Sequence, residues 1–484
     1  MFRANRLHVS SRSRREFLKL AAALGVTACG PTVDGEAPPP PSPDGGIDAS
    51  PDVTAADAAP DAHVDTTVPG VDLDGIALAA PDYPLGVMAG DATSSRAMLW
   101  TKYDSAGELW FQIEAEKSPN GRAFVSRKVT ATELAATGCV HVDADNLPAG
   151  TRCRYAFFVK SGEKLSARSP FGFVRSAIAA DSLDVITFAC TSCSNQNAAP
   201  LPVLSDAAER KLDFFVHAGD HLYADSATNL TEYRQRYDNA WKIAGLRALH
   251  AAHGMVLTWD DHEVDNNWNP ETISPARFDA ARKAFFEYRA LRRDASDPDR
   301  VWRTLTWGKT LELVMLDARS ERKPSTRNQP NAQFVSKAQM TWLKDRLKTS
   351  PAVFKLVVTS VPISNFPLDA SGESDKWEGY PAQRDELLDY IRDEALNGVF
   401  FLSGDLHFGS IGSVGTTPAR MKLKEILMGP AGSQPNNPSL NPAVFDKVIS
   451  ERNTTVFRVD PIKKELAIEF FGVNGSIAKK TFTI

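Results

Sequence analysis

Cysteine is scarce in this chain, with five among 484 residues. That number excludes the dense disulfide framework of small secreted domains. Cys190 and Cys193 form a CxxC, but no second CxxC exists to complete a four-cysteine zinc site. Long apolar runs are also missing, so no stretch of the body could span a bilayer. Charge excess is missing too. Six of the 55 basic and eleven of the 60 acidic residues lie in positions 1–80, which leaves 49 of each sign in the body. A neutral body offers no electrostatic surface for nucleic acid. Residues 30–80 contain no aromatic residue and no Lys or Arg, against nine Asp and one Glu. Such a segment buries too little apolar surface to offset its ordering entropy. It reads as a disordered tether, with ends on the order of 40 Å apart.

The first 29 residues read as an address. Ser13-Arg14-Arg15-Glu16-Phe17-Leu18-Lys19 has the form of a twin-arginine export signal, followed by a short apolar stretch from Leu20 to Val26. Val26-Thr27-Ala28-Cys29 resembles a bacterial lipobox, which would leave Cys29 acylated at the mature N-terminus. Two acyl chains suffice for stable membrane attachment. The twin-arginine machinery and a lipid anchor are therefore expected partners, with the body in the periplasm or at the cell surface.

Behind the tether two patterns follow. Residues 82–178 read as all-β, with strands expected over 96–101, 108–116 and 154–160. Leu147 to Tyr155 has the turn and tyrosine of a fibronectin-type sandwich corner. Cys139 and Cys153 lie on strands expected to be neighbours, and export would permit a disulfide between them. Residues 184–484 alternate strands with helices, as in α/β folds. Helices are expected over 275–293 and 336–348, and further strands over 311–317, 355–360, 455–459, 465–471 and 478–484. Residues 224–250 and 364–380 are left as loops roofing the site. The order fits two mixed sheets flanked by helices.

Four apolar runs each end in side chains able to hold metal. Phe188-Ala189-Cys190-Thr191 leads to Cys193. Phe214-Phe215-Val216-His217 leads to Asp220 and Tyr223. Val256-Leu257-Thr258-Trp259 leads to Asp260, Asp261 and Asn267. Phe400-Phe401-Leu402-Ser403 leads to Asp405 and His407. Such runs are buried parallel strands, and α/β sites gather at the carboxyl ends of strands. One pocket holding two cations follows. A phenolate from Tyr223 suits ferric iron, and Cys193 could add a thiolate. Asp220 could bridge to a second cation to which Asp260 and Asn267 offer oxygens, while Asp405 and His407 could reach the pair together, with oxygen-rich ligation favouring Ca²⁺, Mn²⁺ or Mg²⁺ at the second position. Two metals so placed would let a metal-bound hydroxide attack phosphorus in line. Arg319, beside Arg322, could clamp a phosphate oxygen.

Gly219-Asp220-His221-Leu222-Tyr223-Ala224-Asp225, the block from Thr258 to Trp268, Leu316 to Arg322, Asp375 to Leu388 and Ser403 to His407 resemble the PhoD-like alkaline phosphatase/phosphodiesterases. Gly86 to Asp91 and Leu99 to Thr101 resemble the opening of that family's β-domain. The resemblance implies a metallophosphoesterase α/β sandwich behind a small fibronectin-like β-domain, and a centre of Fe³⁺ with Ca²⁺. By motif position it implies Cys193, Asp220 and Tyr223 as iron ligands. Asp220, Asp260, Asn267, Asp405 and His407 would bridge or hold calcium. It leaves open which of Asp260 and Asp261, and which of Asn266 and Asn267, coordinates. His221 and Ala224 depart from the usual pattern, as does Glu378.

The expected activity is hydrolysis of small or polymeric phosphate mono- or diesters. Asp220, Asp260, Asn267, His407 and Arg319 would carry it. Two rivals remain: a tethered binding lipoprotein with a degenerate body, and a thiol redox protein using Cys190 and Cys193.

Overall fold

The structure, a computed structural model, describes residues 67–117, 122–366 and 375–484. The leader, Cys29 and residues 30–66 lie outside these. The last part of the expected tether does not behave as one. Val68–Pro69 pairs with Arg122–Ala123, and Leu73 and Ile76 are buried with Ala156 and Phe158. These two side chains supply the apolar surface that residues 30–66 lack.

Two large sheets face each other. The first has nine strands, and strands Ile186–Thr191, Phe214–His217 and Gly254–Leu257 lie parallel near its centre. The second has seven, with Leu311–Met315, Phe354–Val358 and Val399–Ser403 parallel in its middle. Period-two alternation is hidden inside each continuous apolar run. Ile186, Phe188, Cys190, Phe214, Val216, Leu313, Leu356 and Leu402 point into the core between the sheets. Ala189, Phe215 and Leu257 face the helices on one outer side, while Val314, Val357 and Phe401 face those on the other. Strands buried on both faces need no polar positions, which is why they read as unbroken runs.

Helices cover the outer faces. Pro275–Glu287 starts from Ser274, whose hydroxyl accepts from Arg277 N. Lys337–Thr349 starts likewise from Ser336. The first stops short of the expected residue 293. There the chain passes Gly90, where an added Cβ would lie 2.3 Å from the Ala290 carbonyl, and Arg289 turns inward to Glu263. The expected loop over 224–250 contains two helices, Leu230–Ala240 and Ala244–Ala252. Tyr233, Tyr237 and Ala240 supply a buried stripe at helical spacing.

The N-terminal part is a β-sandwich, but its sheets are not independent. A five-stranded sheet containing Glu108–Ala115 and Arg152–Ser161 packs on Val87–Gly90, Ala97–Lys102 and Cys139–Ala144 through Phe111, Tyr155, Phe157, Leu99 and Val142. Those three facing strands are the end of the nine-stranded sheet, joined to it where Gly254 and Met255 pair with Ala89 and Gly90. Cys139 and Cys153 thus belong to different sheets, and both are free thiols. The Tyr155 hydroxyl is buried without a hydrogen-bond partner, so the expected tyrosine corner does not form. Its ring instead fills the space left by Gly172, where a Cβ would sit 2.2 Å from Cζ.

Candidate metal centre

Both sheets end at one place. From the first come Cys193, Asp220 and Asp260; from the second come Arg319, Ser360, Asp405 and His407. Cys193, Asp220, Asn267, Asp405 and His407 all hold positive φ, between 50° and 72°. Left-handed backbone costs non-glycine residues free energy and collects at functional sites. Here it turns each chain sharply off its strand, so the side chains converge. Gly219, with φ of 107°, is required by contact as well. An added Cβ there would lie 2.6 Å from Asp260 Cβ.

Three groups of side chains could each hold a cation among the described residues: Cys193, Asp220 and His407; Asp220, Asp261 and His262; and Asp260, Asp261 and Asp405. Asp220 is common to the first two. Asp261 enters two groups and Asp260 one, so the structure brings both members of the doublet to the site. Tyr223 joins the first group. Its hydroxyl lies 3.3 Å from Asp220 Oδ2, 3.3 Å from His407 Nε2 and 2.7 Å from Ser433 Oγ. Asn267 is the asparagine that reaches Asp261, its backbone N–H donating to Oδ2 at 2.6 Å. Its side-chain amide, oriented to donate, meets Asp261 Oδ2 and Asp375 Oδ2 at 3.1 Å each.

The donor set fits hard cations. Asp220 is buried, and its carboxyl is pushed well above the carboxylate range by desolvation and by Asp261, Asp260 and Glu263 around it. Burial and the neighbouring Asp260 and Asp375 do the same to Asp405. Burial and Asp220 raise the Cys193 thiol and the Tyr223 phenol. Packed carboxylates of this kind carry charge that a bound cation would offset, reversing all four shifts. Asp261 Oδ1 is buried without a hydrogen bond.

Arg319 reaches the site but not as the open clamp expected from the sequence. It is fully buried. Its Nε bonds Asp260, its Nη1 bonds Asp375, and its Nη2 lies 2.9 Å from Asp260 Oδ2 and 3.2 Å from Asp405 Oδ1. The guanidinium fork is occupied by carboxylates because these acids need a counter-charge. His221, a departure from the motif, is buried against Trp241 and His250. His262 stands differently. It stacks on Tyr223 with ring centroids 3.9 Å apart, and its Nδ1 bonds Asp225 at 2.8 Å. Burial alone would lower this imidazole, but Asp225 and Asp261 outweigh it and raise its pKa.

Several residues outside the expected ligand set also hold the site together, Glu263 in the structural role the sequence allowed it. Glu263 accepts from the backbone N–H groups of Asp220 (3.2 Å), His221 (2.7 Å) and Asp260 (2.9 Å), pinning two of the site's turns together. Asp225 could have been found inside the Gly219–Asp225 block, as the acid in reach of His262. Asp375 opens the block that ends at Leu388. Ser360 and Ser433 carry no motif signal.

The family model of the PhoD-like phosphatases matches residues 188–473, and that of their N-terminal domain matches residues 72–178. Alkaline phosphatase D of Bacillus subtilis (strain 168) is 30% identical over 388 residues, covering 68% of this chain and 66% of its own length. The chain thus spans slightly under two thirds of that relative. The solved structure of PhoD superposes with a TM-score of 0.71 at 23% identity, over 83% of this chain and 90% of the other. Purple acid phosphatase PPD1 from yellow lupin gives 0.60 at 10% identity, over 82% and 73%. These two likenesses show a shared α/β sandwich fold.

Proposed function

The chain belongs to the PhoD-like phosphatase family, and from that premise we propose that it is a cation-dependent hydrolase of phosphate mono- or diesters. The observation that carries this reading is the convergence of buried Cys193, Asp220, Tyr223, Asp260 and Asp261 with half-buried Asp405 and His407 at the ends of two sheets. Cys193, Asp220 and Tyr223 would hold a ferric ion, joined by His407, which the resemblance had placed among the residues that bridge or hold calcium but which lies beside Cys193, Asp220 and Tyr223. Asp220, Asp260, Asp261 and Asp405 would hold calcium, or Mn²⁺ or Mg²⁺ in its place, and Asn267 would join them with its amide turned so that the oxygen, not the nitrogen, faces the cation. Bound cations supply Lewis acidity toward the phosphoryl oxygens and activation of the attacking water.

The remaining work falls to the chain. Asp225 fixes the His262 ring through Nδ1, which turns Nε2 to the opposite side, where it can hold a proton for the leaving oxygen. Arg319 offsets the charge of Asp260 and Asp405, and a phosphoryl group would compete with Asp375 for its Nη1. Glu263 keeps the Asp220 and Asp260 turns in register.

The leader supports export by the twin-arginine route, and Cys29 supports lipid anchoring at the periplasmic face or cell surface. Small and polymeric phosphate esters are both candidate substrates. The thiol redox rival is disfavoured, because Cys190 points into the core between the sheets and Cys193 into the acid cluster. The binding-lipoprotein rival is disfavoured by the assembled donor set. Purified protein is expected to hydrolyse nitrophenyl phosphate or its bis-ester at alkaline pH, to lose that activity on chelation, and to lose it again in Asp220→Asn. Full turnover in that variant, or in protein that elemental analysis shows to be stripped of metal, would refute the proposal.

A further inference from the structure

The segment 428–437 lies outside every motif recognised in the sequence, yet it is bound to the metal centre along its length. Ala431 N donates to the Ser192 carbonyl at 2.9 Å, and Gly432 N and Ser433 N both donate to that of Cys193 at 3.0 Å. Further on, Asn436 N donates to the His407 carbonyl at 2.7 Å, and its Nδ2 to that of Leu406 at 2.9 Å. From behind, Asn453 Nδ2 holds the Gly429 carbonyl and Arg452 Nε that of Gly432, each at 2.9 Å. Gly432 is required by proximity: a Cβ there would lie 2.7 Å from both the N and the O of Asn195. One strap therefore grips the Cys193 loop and the His407 turn together.

The side chain this strap sends to the third member of the group is Ser433. It is 4% exposed, and its Oγ lies 2.7 Å from the Tyr223 oxygen. Nearby Ser192 makes a useful contrast. Its hydroxyl lies 2.8 Å from a backbone carbonyl, that of Met428, and 3.2 Å from Cys193 Sγ, so its proton has a backbone acceptor to go to. The Ser433 hydroxyl goes to a tyrosine whose backbone is already fixed from both sides by Gln196, at 2.6 and 3.0 Å. Tyr223 has one proton and three polar neighbours. Once it serves as a phenolate ligand it has none, so only Ser433 can donate across that contact.

Resting on the reading of Tyr223 and Cys193 as ferric ligands, we propose that Ser433 is a positioning residue. Its hydroxyl donates to the Tyr223 phenolate, and the strap that carries it fixes Cys193, Tyr223 and His407 as one ligand face. A hydrogen bond to a phenolate stabilises its oxygen lone pairs, which favours the ionised ligand, holds it in place for iron and raises the energy of charge transfer from it. The phenolate-to-iron charge-transfer absorption reports this directly, moving to lower energy when the hydrogen bond is removed.

Full-length protein loaded with ferric ion tests this in three forms: wild type, Ser433→Ala and Ser433→Thr. The alanine variant is expected to keep the wild-type unfolding temperature, shift the band to longer wavelength and lose about tenfold in iron affinity, the scale of an outer-sphere partner. Threonine, which keeps the hydroxyl, should restore both. A band in wild type that stays put in Ser433→Ala, with unchanged iron affinity, overturns this inference alone. A wild-type protein that takes up ferric ion without any such band overturns the ligand reading of Tyr223, and this inference with it.

Discussion

At Gly219 two demands meet, a φ of 107° and a Cβ position 2.6 Å from Asp260 Cβ. Gly219→Ala would violate both, at a cost on the order of 3 kcal/mol or more. Because Asp260 must move to make room, activity should fall further than stability does. Thermal unfolding and turnover measured together check this, and an active alanine variant would show that the two turns are not in register-critical contact. His262 supports a prediction about pH. Its Asp225 partner raises the imidazole pKa against the opposing effect of burial. A proton donor works below its pKa and fails above it, so if His262 holds the proton for the leaving oxygen, as proposed, it sets the alkaline limb of the turnover profile. Asp225→Asn removes the largest raising influence and leaves that of Asp261, so that limb should move to lower pH while the acid limb stays. A limb that does not move would remove His262 from the role. Residues of this kind differ in how visible they are in a sequence. Cys193, Asp220 and His407 could be found because each sits a fixed few positions past an apolar run. Ser433 and Ser360 could not, because a serine in a loop announces nothing until the fold brings it to a partner.

Among the elements, the turns rather than the strands decide the site. Strands Phe214–His217 and Gly254–Leu257 are parallel neighbours, and the turns beyond them are tied by one carboxylate, Glu263, which also faces Arg289 at 3.2 Å with both side chains fully buried. Glu263→Gln would replace one acceptor oxygen with a donor facing backbone N–H groups, and would leave Arg289 without its counter-charge. Breaking a buried pair from one side costs about 3–5 kcal/mol. Denaturant unfolding should show a loss of that size, and cation content should drop as the Asp220 and Asp260 turns drift apart. A variant with wild-type stability and full cation content would mean that other contacts hold the turns. The strands themselves were readable, since doubly buried strands are continuous apolar runs, and the observed bounds lie within about two residues of those expected for Leu311–Met315, Phe354–Val358 and Thr454–Asp460. Helix Leu230–Ala240 was not read, although Tyr233, Tyr237 and Ala240 repeat at helical spacing. Its mostly polar exposed face resembles loop composition, and only packing shows the stripe to be a core face.

For the whole molecule, the consequential feature is the sheet that continues across residues 178–184. Composition and periodicity divide the chain there, because an all-β pattern gives way to alternating strands and helices. Strand pairing between Gly254–Met255 and Ala89–Gly90 is invisible to that reading, since it joins segments far apart in sequence. The junction is also packed and charged. Met88, Met98 and Trp100 share a core with Leu204, Phe215, Trp241 and Phe285. Trp100 Nε1 donates to the Glu287 carbonyl at 2.9 Å, and Arg303 and Arg292 pair with Asp91 and Asp143 at 2.7 and 2.8 Å. The described residues from 67 onward accordingly belong to one compact unit. A fragment starting at residue 184 would expose the Gly254–Leu257 edge and strip one wall from that core, which invites aggregation. The fragment is expected to be insoluble or molten, and residues 67–484 to unfold in one transition that far-UV and tryptophan signals report at the same denaturant concentration. Two separated transitions, with a soluble and cation-loaded 184–484 fragment, would show that the β-sandwich is an accessory and not a structural part of the catalytic body.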